Sequence, residues 1–456
     1  MSGEIAVQIS SLAFGGSGFG RVVDSADESL QGMCVFVPFS APGDVVRAVV
    51  QTRHKRHLEA EIEEILEASA SRVAPVCRHF GDCGGCHFQH FDYQTELEQK
   101  KEMIRAAMRA AGISEAERNK VEDVYPSLPY GYRRRATLQV DTAGSVGFHR
   151  RGTHEVVSLS QCPILVDSLN LCLVELARIP GTQMTGLRRI QLEETGGKVF
   201  LTFEVAAESS AAEVPPVAIR MRELGFEVRV VGNGQDLESF TVSAQSGQST
   251  VQSGTLMMKG APGSFTQVNA GVNSALVGFV QDAVRKSVQN MPEPCVSVLD
   301  LYSGAGNFAL PFAASGARVT AVEMDQRLVA AGRDSALLNN LADKVEYQCS
   351  SVEKFLAASA SDAYWDLVIC DPPRCGLRAV QKVLPRCRQL VLVSCHLPGF
   401  VSDLRYLLSA GWTLERLKPF DMFARTTYTE IVSLLRPPQD YSPERKSAPE
   451  RRRRRR

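Results

Sequence analysis

From residue 296 onward the chain repeats one pattern, a short apolar run followed by a stretch with helical spacing. The runs are Val296 to Leu301, Arg318 to Val322, Leu367 to Cys370 and Leu390 to Val393. A strand that is apolar at every position must be covered on both faces. The intervening helices supply that cover, which confines this part of the chain to an α/β fold with a parallel sheet between helix layers. Ligands of such sheets bind outside the carboxyl ends of the strands, so the residues at those ends carry the argument.

The first run leads into Tyr302-Ser303-Gly304-Ala305-Gly306-Asn307-Phe308, a glycine turn that opens a helix. Glycines there let the backbone approach a cofactor closely. The pyrophosphate-binding G-x-G-x-x-G is missing, so a cofactor without pyrophosphate fits better. Glu323 ends the second run, where an acid can bind ribose hydroxyls. Asp371-Pro372-Pro373 ends the third, and its prolines fix an extended backbone that aims the carboxylate into the cleft. Similar strand-end motifs hold planar nitrogenous bases in amino-group methyltransferases, so methylation of a nitrogen is one reading of this site. The fourth run delivers Ser394-Cys395-His396, and a cysteine projecting into a cofactor cleft suits nucleophilic catalysis.

Residues 1–72 have a different texture. Ile5 to Ile9 alternates, Gly15, Gly16, Gly18 and Gly20 punctuate a loop, and Met33 to Pro38 and Val45 to Val50 are β-rich. Several short strands of this kind fit a small antiparallel barrel such as an OB-fold. The cluster Arg53-His54-Lys55-Arg56-His57 is either a solvated hairpin tip or a basic edge for RNA. Residues 73–262 form a central unit. Tyr93 to Ala111 reads as a helix stopped by Gly112 and packing on the catalytic domain, and Tyr132 to Val242 reads mostly as strands with polar turns. Residues 263–438 make the α/β domain. The chain is proline- and charge-rich from Pro437 and ends in six arginines, so a disordered basic tail is expected over 439–456.

Lys+Arg and Asp+Glu both number 51, so only the arginine tail, not the net charge, hints at a nucleic-acid partner. No signal peptide or membrane span is apparent, which points to the reducing cytoplasm. There the twelve cysteines read as metal ligands or catalysts rather than disulfides. Cys77, Cys83 and Cys86 form a C-x5-C-x2-C run around Gly84-Gly85, and Cys162 is a candidate fourth ligand. Four thiolates hold either zinc or an iron–sulfur cluster. Others, such as Cys34, Cys172 and Cys349, read as small buried apolar residues.

With these residues in place the chain resembles the RNA 5-methyluridine methyltransferases, most closely the ribosomal-RNA branch with an N-terminal TRAM domain and an iron–sulfur cluster. The similarity covers nearly the whole chain except the tail. It implies a TRAM barrel, a central iron–sulfur domain and a Rossmann-like domain that uses S-adenosylmethionine. It implies that Cys77, Cys83, Cys86 and Cys162 hold a 4Fe–4S cluster, structural or RNA-binding in role. Phe265-Thr266-Gln267-Val268-Asn269 matches the family's F-x-Q-x-N motif, which places Gln267 near donor and target. Tyr302, Gly304 and Glu323 match donor-binding positions, Asp371 the acid that holds uracil, Cys395 the nucleophile and Glu430 the base.

The chemistry implied is demanding. Carbon 5 of uracil is a poor nucleophile until a thiolate adds at carbon 6, and a base must then remove the carbon 5 proton. Two departures from the family pattern flank these residues. Ser394-Cys395-His396-Leu397 stands for Ser-Cys-Asn-Pro, and Arg425-Thr426-Thr427-Tyr428-Thr429-Glu430 for His-Thr-x-His-x-Glu. Expected partners are ribosomal RNA ahead of transfer RNA, with no membrane and a monomeric state. A non-catalytic RNA-binding or ribosome-assembly factor on the same fold is the competing reading.

Overall fold

The computed structural model describes residues 3–206, 214–232, 235–238, 248–252, 255–259, 267–288, 296–359 and 363–441. Five strands, β1 (Glu4–Leu12), β2 (Gly18–Ser25), β3 (Cys34–Val37), β4 (Val45–Arg53) and β5 (His57–Glu67), close into a barrel in the order β1-β2-β3-β5-β4. Alternation decides the interior. Ile5, Val7 and Ile9 point inward with Val35, Val37, Val46, Ala48 and Leu58. Only Gly15 and Gly16 of the expected glycine loop sit in the turn. Gly18 and Gly20 lie within β2, where a Cβ would collide with Ser40 Oγ and the Gln8 carbonyl.

The basic cluster is the tip of the β4–β5 hairpin, closed by His54 N–H donating to the His57 carbonyl at 2.9 Å. Its charges are partly matched: Arg53 faces Asp27, and His54 Nε2 lies 3.1 Å from Glu59 Oε1. The cluster is thus an exposed hairpin tip, with Lys55 and Arg56 at its crest.

The central sheet contains β6 (Arg135–Val140), β7 (Val146–His149), β8 (Val156–Ser158), β9 (Leu187–Thr195), β10 (Lys198–Val205), β11 (Glu227–Gly232) and β12 (Gln235–Glu238), ordered β12-β11-β10-β9-β6-β7-β8. Two helices, Asp167–Arg178 and Pro216–Glu223, interrupt what the sequence presents as strands. Leu169, Cys172, Leu173 and Leu176 recur at helical spacing and join Leu138, Ile190 and Phe203 in one core. A hairpin of β13 (Gln248–Gln252) and β14 (Thr255–Lys259) falls within residues 73–262 yet packs on the α/β domain. Met257 N–H donates to Asn339 Oδ1 at 2.9 Å, and Met258 enters that domain's core.

The α/β sheet contains β15 (Ser297–Leu301), β16 (Arg318–Glu323), β17 (Val345–Cys349), β18 (Tyr364–Cys370), β19 (Arg386–Ser394), β20 (Thr413–Phe420) and β21 (Glu430–Arg436). Its order is β17-β16-β15-β18-β19-β21-β20, with β21 antiparallel to both neighbours and the first five strands parallel. Successive side chains feed two separate cores. Val298, Val319, Ile369 and Val391 lie in one, and Leu299, Val322, Val368 and Leu392 in the other. The continuous apolar runs thus have cover on both faces.

The helix Tyr93–Ala110 begins with Asp92 accepting from Thr95 N–H at 2.8 Å, and Gly112 follows its end at φ +77°. Ile104 and Met108 bury themselves in the second of those cores. The chain is still held at Tyr441, whose ring lies 5.0 Å from Trp412 and whose hydroxyl donates to the Leu384 carbonyl. This corrects the expectation of disorder for 439–441; the arginine run lies outside the described residues. Among the described residues no helix is long and apolar enough to cross a membrane.

Candidate active site and cysteine centre

Strand order reverses between β15 and β18, and their carboxyl ends open there. Tyr302, immediately after β15, takes φ +63°, a strained conformation for a residue with a side chain. Gly304 and Gly306 follow at φ +57° and +100°, and a Cβ on Gly306 would collide with the Tyr347 hydroxyl. Glu323 ends β16 and ties the turn down. Its Oε2 accepts from Gly304 N–H at 3.1 Å, while Oε1 accepts from Met324 and Asp325 N–H at 2.7 and 2.8 Å. Oε2 keeps a lone pair for a hydroxyl.

The turn is braced from the other side by reciprocal amide bonds between Asn273 and Asn307, at 2.8 and 3.1 Å. Asn269 caps the helix Ala270–Val288 by accepting from Val272 N–H. Gln267 is half-buried on the stretch entering that helix; Phe265 and Thr266 lie outside the described residues.

Ladder register brings the chemistry-bearing residues together. Ser394 pairs with Ile431 across β19 and β21, so the next residues outward, Cys395 and Glu430, oppose one another. Cys370 pairs with Leu301 on one side and Leu392 on the other, which sets Asp371 between the glycine turn and Cys395. Electrostatics reflect this proximity. Burial first, then Glu430 and Asp371, push the half-buried Cys395 thiol up to about 11, while Arg374 favours the thiolate. Burial lifts Asp371 to about 6. Glu430 is buried and held well above the usual carboxylate range, first by burial and then by Asp371.

Cys77, Cys83, Cys86 and Cys162 line one cavity with Arg133, Gln139 and Arg151. All four are free thiols. Cys86 is pushed up to about 12 and Cys162 to about 11, by burial first and then by the other cluster cysteines. Buried thiols that resist ionisation alone, as Cys86 and Cys162 do, become good anionic ligands once a cationic centre compensates them. Gly84 passes close to the His149 carbonyl, where a Cβ would come within 3.1 Å. Of the cysteines read as buried and apolar, Cys172 is buried and Cys34 half-buried, but Cys349 is exposed, because it ends the sheet's edge strand β17.

The sequence model of the tRNA (Uracil-5-)-methyltransferase family matches residues 206–437, just over half the chain. The chain belongs to that family. It is 32% identical over 452 residues to the 23S rRNA (uracil(1939)-C(5))-methyltransferase RlmD of Halomonas elongata, covering 94% of this chain and 89% of the relative. The RlmD of a Marinomonas species is 30% identical over 425 residues, covering 89% and 90%. In fold, the chain resembles the Pyrococcus abyssi tRNA (uracil-54, C5)-methyltransferase, crystallised with S-adenosyl-L-homocysteine. That likeness has a TM-score of 0.68 at 22% identity, covering 94% of this chain and 99% of the other.

Within this uracil-5-methyltransferase the two unusual flanking residues have structural employment. His396 is the N-cap of the helix Leu397–Ser409, and its Nδ1 accepts from Gly399 N–H at 3.3 Å, a task open to asparagine as well. Arg425 is buried at φ +67° among Tyr93, Tyr130 and Glu96.

Sequence reasoning missed three features. Asp300 is wholly buried in β15; its Oδ2 accepts from Ala309 N–H, its Oδ1 has no partner, and burial raises its carboxyl well above normal. An acid inside an otherwise apolar strand was the available signal. Arg374, directly after Asp-Pro-Pro, faces Cys395 and Tyr428. The third is the buried charge cluster of Glu96, Lys100 and Asp421, in which Asp421 lies more than 300 residues from the other two in sequence.

Proposed function

We propose that this protein transfers a methyl group from S-adenosylmethionine to carbon 5 of a uridine in 23S ribosomal RNA, through a covalent Cys395 adduct. The observation that carries the mechanism is the opposition of Cys395 and Glu430 at adjacent strand ends, with Asp371 beside them and the glycine turn next in the sheet. Methyl transfer to a ring carbon needs a nucleophile and a base within one base-sized cleft.

Asp371 accepts the N3–H of the flipped uracil. Cys395 gives its proton to solvent and its sulfur adds to carbon 6, moving the ring electrons toward carbon 5 and O4. Carbon 5 takes the methyl from the sulfonium, whose carbon–sulfur bond breaks to leave the thioether. Glu430, ionised at this stage, removes the carbon 5 proton; the carbon 5–carbon 6 double bond re-forms and the Cys395 thiolate leaves. A carboxylate with a raised proton affinity is a stronger base for that step. Tyr302, Gly304 and Glu323 line the donor's side of the cleft and Gln267 approaches it.

Cys77, Cys83, Cys86 and Cys162 fit a 4Fe–4S cluster that would fix the central loops and supply no electron to the reaction. Three of the four come from one glycine-bearing loop and line a single cavity with Cys162, and four thiolates so gathered are the ligand set of such a cluster. The barrel serves as a TRAM-type RNA-binding domain.

The direct test incubates the protein and labelled donor with ribosomal and transfer RNA from a strain lacking the gene. Label in 5-methyluridine of 23S RNA supports the proposal, label only in transfer RNA redirects it, and no transfer to either ends it. Full rescue of the deletion strain by Cys395→Ala would favour an assembly factor, and intact methylation by that variant would favour a nitrogen target.

A further inference from the structure

The barrel and the catalytic domain meet at the mouth of the Cys395 cleft. The turn between β1 and β2 is closed by Ala13 N–H donating to the Ser17 carbonyl at 2.8 Å and Gly16 N–H donating to the Ala13 carbonyl at 3.0 Å. Gly16, at φ +91°, is pressed against the catalytic segment. A Cβ there would stand 2.8 Å from Thr427 Cγ2 and 3.3 Å from His87 Cβ. The turn is therefore docked, and the residue it carries at its crest, Phe14, has a fixed address.

Phe14 is 50% exposed, and among the described residues it is the one phenylalanine so placed. Tyr428, two residues before Glu430, is 39% exposed. Both line one small cavity with Cys395, His396, Thr427 and Thr429. The Tyr428 ring is held upright by edge contacts with His87 and Phe423, each with centroids 6.2 Å away. The Arg374 guanidinium sits 5.8 Å from its centre. Two half-exposed aromatic rings beside a nucleophile leave apolar surface in water, and an unpaired base presents two flat faces that stack on such rings.

We propose that Phe14, Tyr428 and Arg374, on the exposed rim of this water-sized cavity, form an open stacking slot for an unpaired RNA base flanking the target uridine. The inference rests on the RNA-methylation reading. Flipping the uridine leaves its neighbours unstacked, and a base received between Phe14 and Tyr428 recovers that loss, while Arg374 spans to its phosphate or stacks in cation–π fashion. Recognition of the flanking nucleotide then comes from two domains at once, and the family's histidine position, here Tyr428, becomes part of a wider platform.

The test uses a synthetic ribosomal RNA stem-loop that the wild-type protein methylates, with 2-aminopurine placed in turn at the nucleotides flanking the methylated uridine. Stacking quenches the probe. At one position the wild type should quench it on binding, and Phe14→Ala and Tyr428→Ala should each lose most of that quenching. Each variant should raise the KM for RNA about tenfold, in line with about 1–3 kcal/mol per stacked base, while the KM for donor stays put. The double variant should cost little more than either single one, because one base is shared. Tyr428→Phe should restore quenching, which a merely folding-related defect in Tyr428→Ala would not predict for the RNA term alone. Unchanged quenching and RNA KM in both alanine variants would overturn the slot while leaving the methylation reading standing. Absence of methylation by the wild type would instead remove the reading beneath it.

Discussion

Lys100 Nζ donates to Asp421 Oδ1 at 2.5 Å in a contact with no solvent exposure on either side. The same ammonium reaches Glu96 Oε1 at 2.8 Å, and Glu96 in turn accepts from the Arg425 backbone N–H at 2.7 Å. Tyr93 donates to the other oxygen of Asp421 and accepts from Ser127 N–H. This cluster fastens the helix Tyr93–Ala110 to the segment that runs into Glu430. Burial lifts Glu96 to about 7 despite its cationic neighbours, whereas the two carboxylates keep Lys100 charged. Removing the cation leaves the acids buried without compensation. Lys100→Met should therefore cost about 3–5 kcal/mol, read as a drop in denaturation midpoint, and a midpoint within error of wild type would show the cluster to be dispensable.

The raised proton affinities at the catalytic end set the pH dependence of activity. The Cys395 thiol, held up to about 11 by burial, then by Glu430 and Asp371, is almost wholly protonated near neutrality. Its reactive thiolate fraction grows with pH, so single-turnover methylation should rise steadily from pH 6 to pH 9 without a plateau near 8. Arg374→Gln removes the one cation that favours the anion and should shift the profile to higher pH. A flat profile above pH 7 would show that substrate binding lowers the thiol's affinity for its proton.

Glu430→Gln separates the steps of the proposed mechanism. Addition of Cys395 and transfer of the methyl need no carboxylate at position 430, but removal of the carbon 5 proton does. The variant should accumulate a protein–RNA adduct that survives denaturing electrophoresis and carries the labelled methyl. Cys395→Ala should form none, and neither should Glu430→Gln combined with it. Free methylated RNA released by Glu430→Gln at the wild-type rate would assign the base elsewhere.

Much of this site was legible because parallel-sheet chemistry concentrates at strand ends. The runs ending at Leu301, Glu323, Cys370 and Ser394 identified those ends, and the residues after them are the ones the sheet assembles. Strand β5 was not legible. Its His-Leu-Glu-Ala-Glu-Ile-Glu-Glu sequence is rich in glutamates that favour helices, and only the inward alternation of Leu58 and Ala60 makes it a strand. The Lys100–Asp421 contact was equally invisible, because a buried ion pair joins residues that no local period connects. His396 and Arg425 showed only as departures until the helix cap and the charge cluster gave them roles.

Asp371 sets function against stability. Its carboxyl is held at about 6, above the ordinary value near 3.9. The folded protein thus binds that proton more tightly than the unfolded chain. The associated stability is fully present below about pH 4 and is lost as pH rises through about 6. Asp371→Asn removes an ionisation that folding opposes, so at pH 7.5 the variant should be more stable than wild type, by about 2 kcal/mol, and the difference should vanish near pH 4. Its methylation should fall sharply, since a neutral amide oxygen accepts the uracil N3–H less strongly than a carboxylate does. A variant no more stable at pH 7.5 than at pH 4, relative to wild type, would mean that Asp371 is better solvated than its surroundings indicate.

The cysteine centre touches the catalytic segment through the backbone. His87 and Phe88, directly after Cys86, donate their N–H groups to the Arg425 carbonyl at 2.8 and 3.1 Å, and the Arg425 guanidinium lies against the Phe88 and Phe91 carbonyls. The loop that carries three of the four thiols is thereby the seat of the stretch leading to Glu430. Cys86→Ser should abolish bound iron and sulfide, measured by elemental and sulfide analysis of anaerobically purified protein, and should lower the unfolding midpoint. Hydrogen exchange of residues 421–430 should accelerate in that variant, whereas β15 and β16, on the far side of the sheet, should keep wild-type protection. Zinc at one equivalent in place of iron and sulfide would revise the identity of the centre, and unchanged exchange at 421–430 would show that the two sites stand independently.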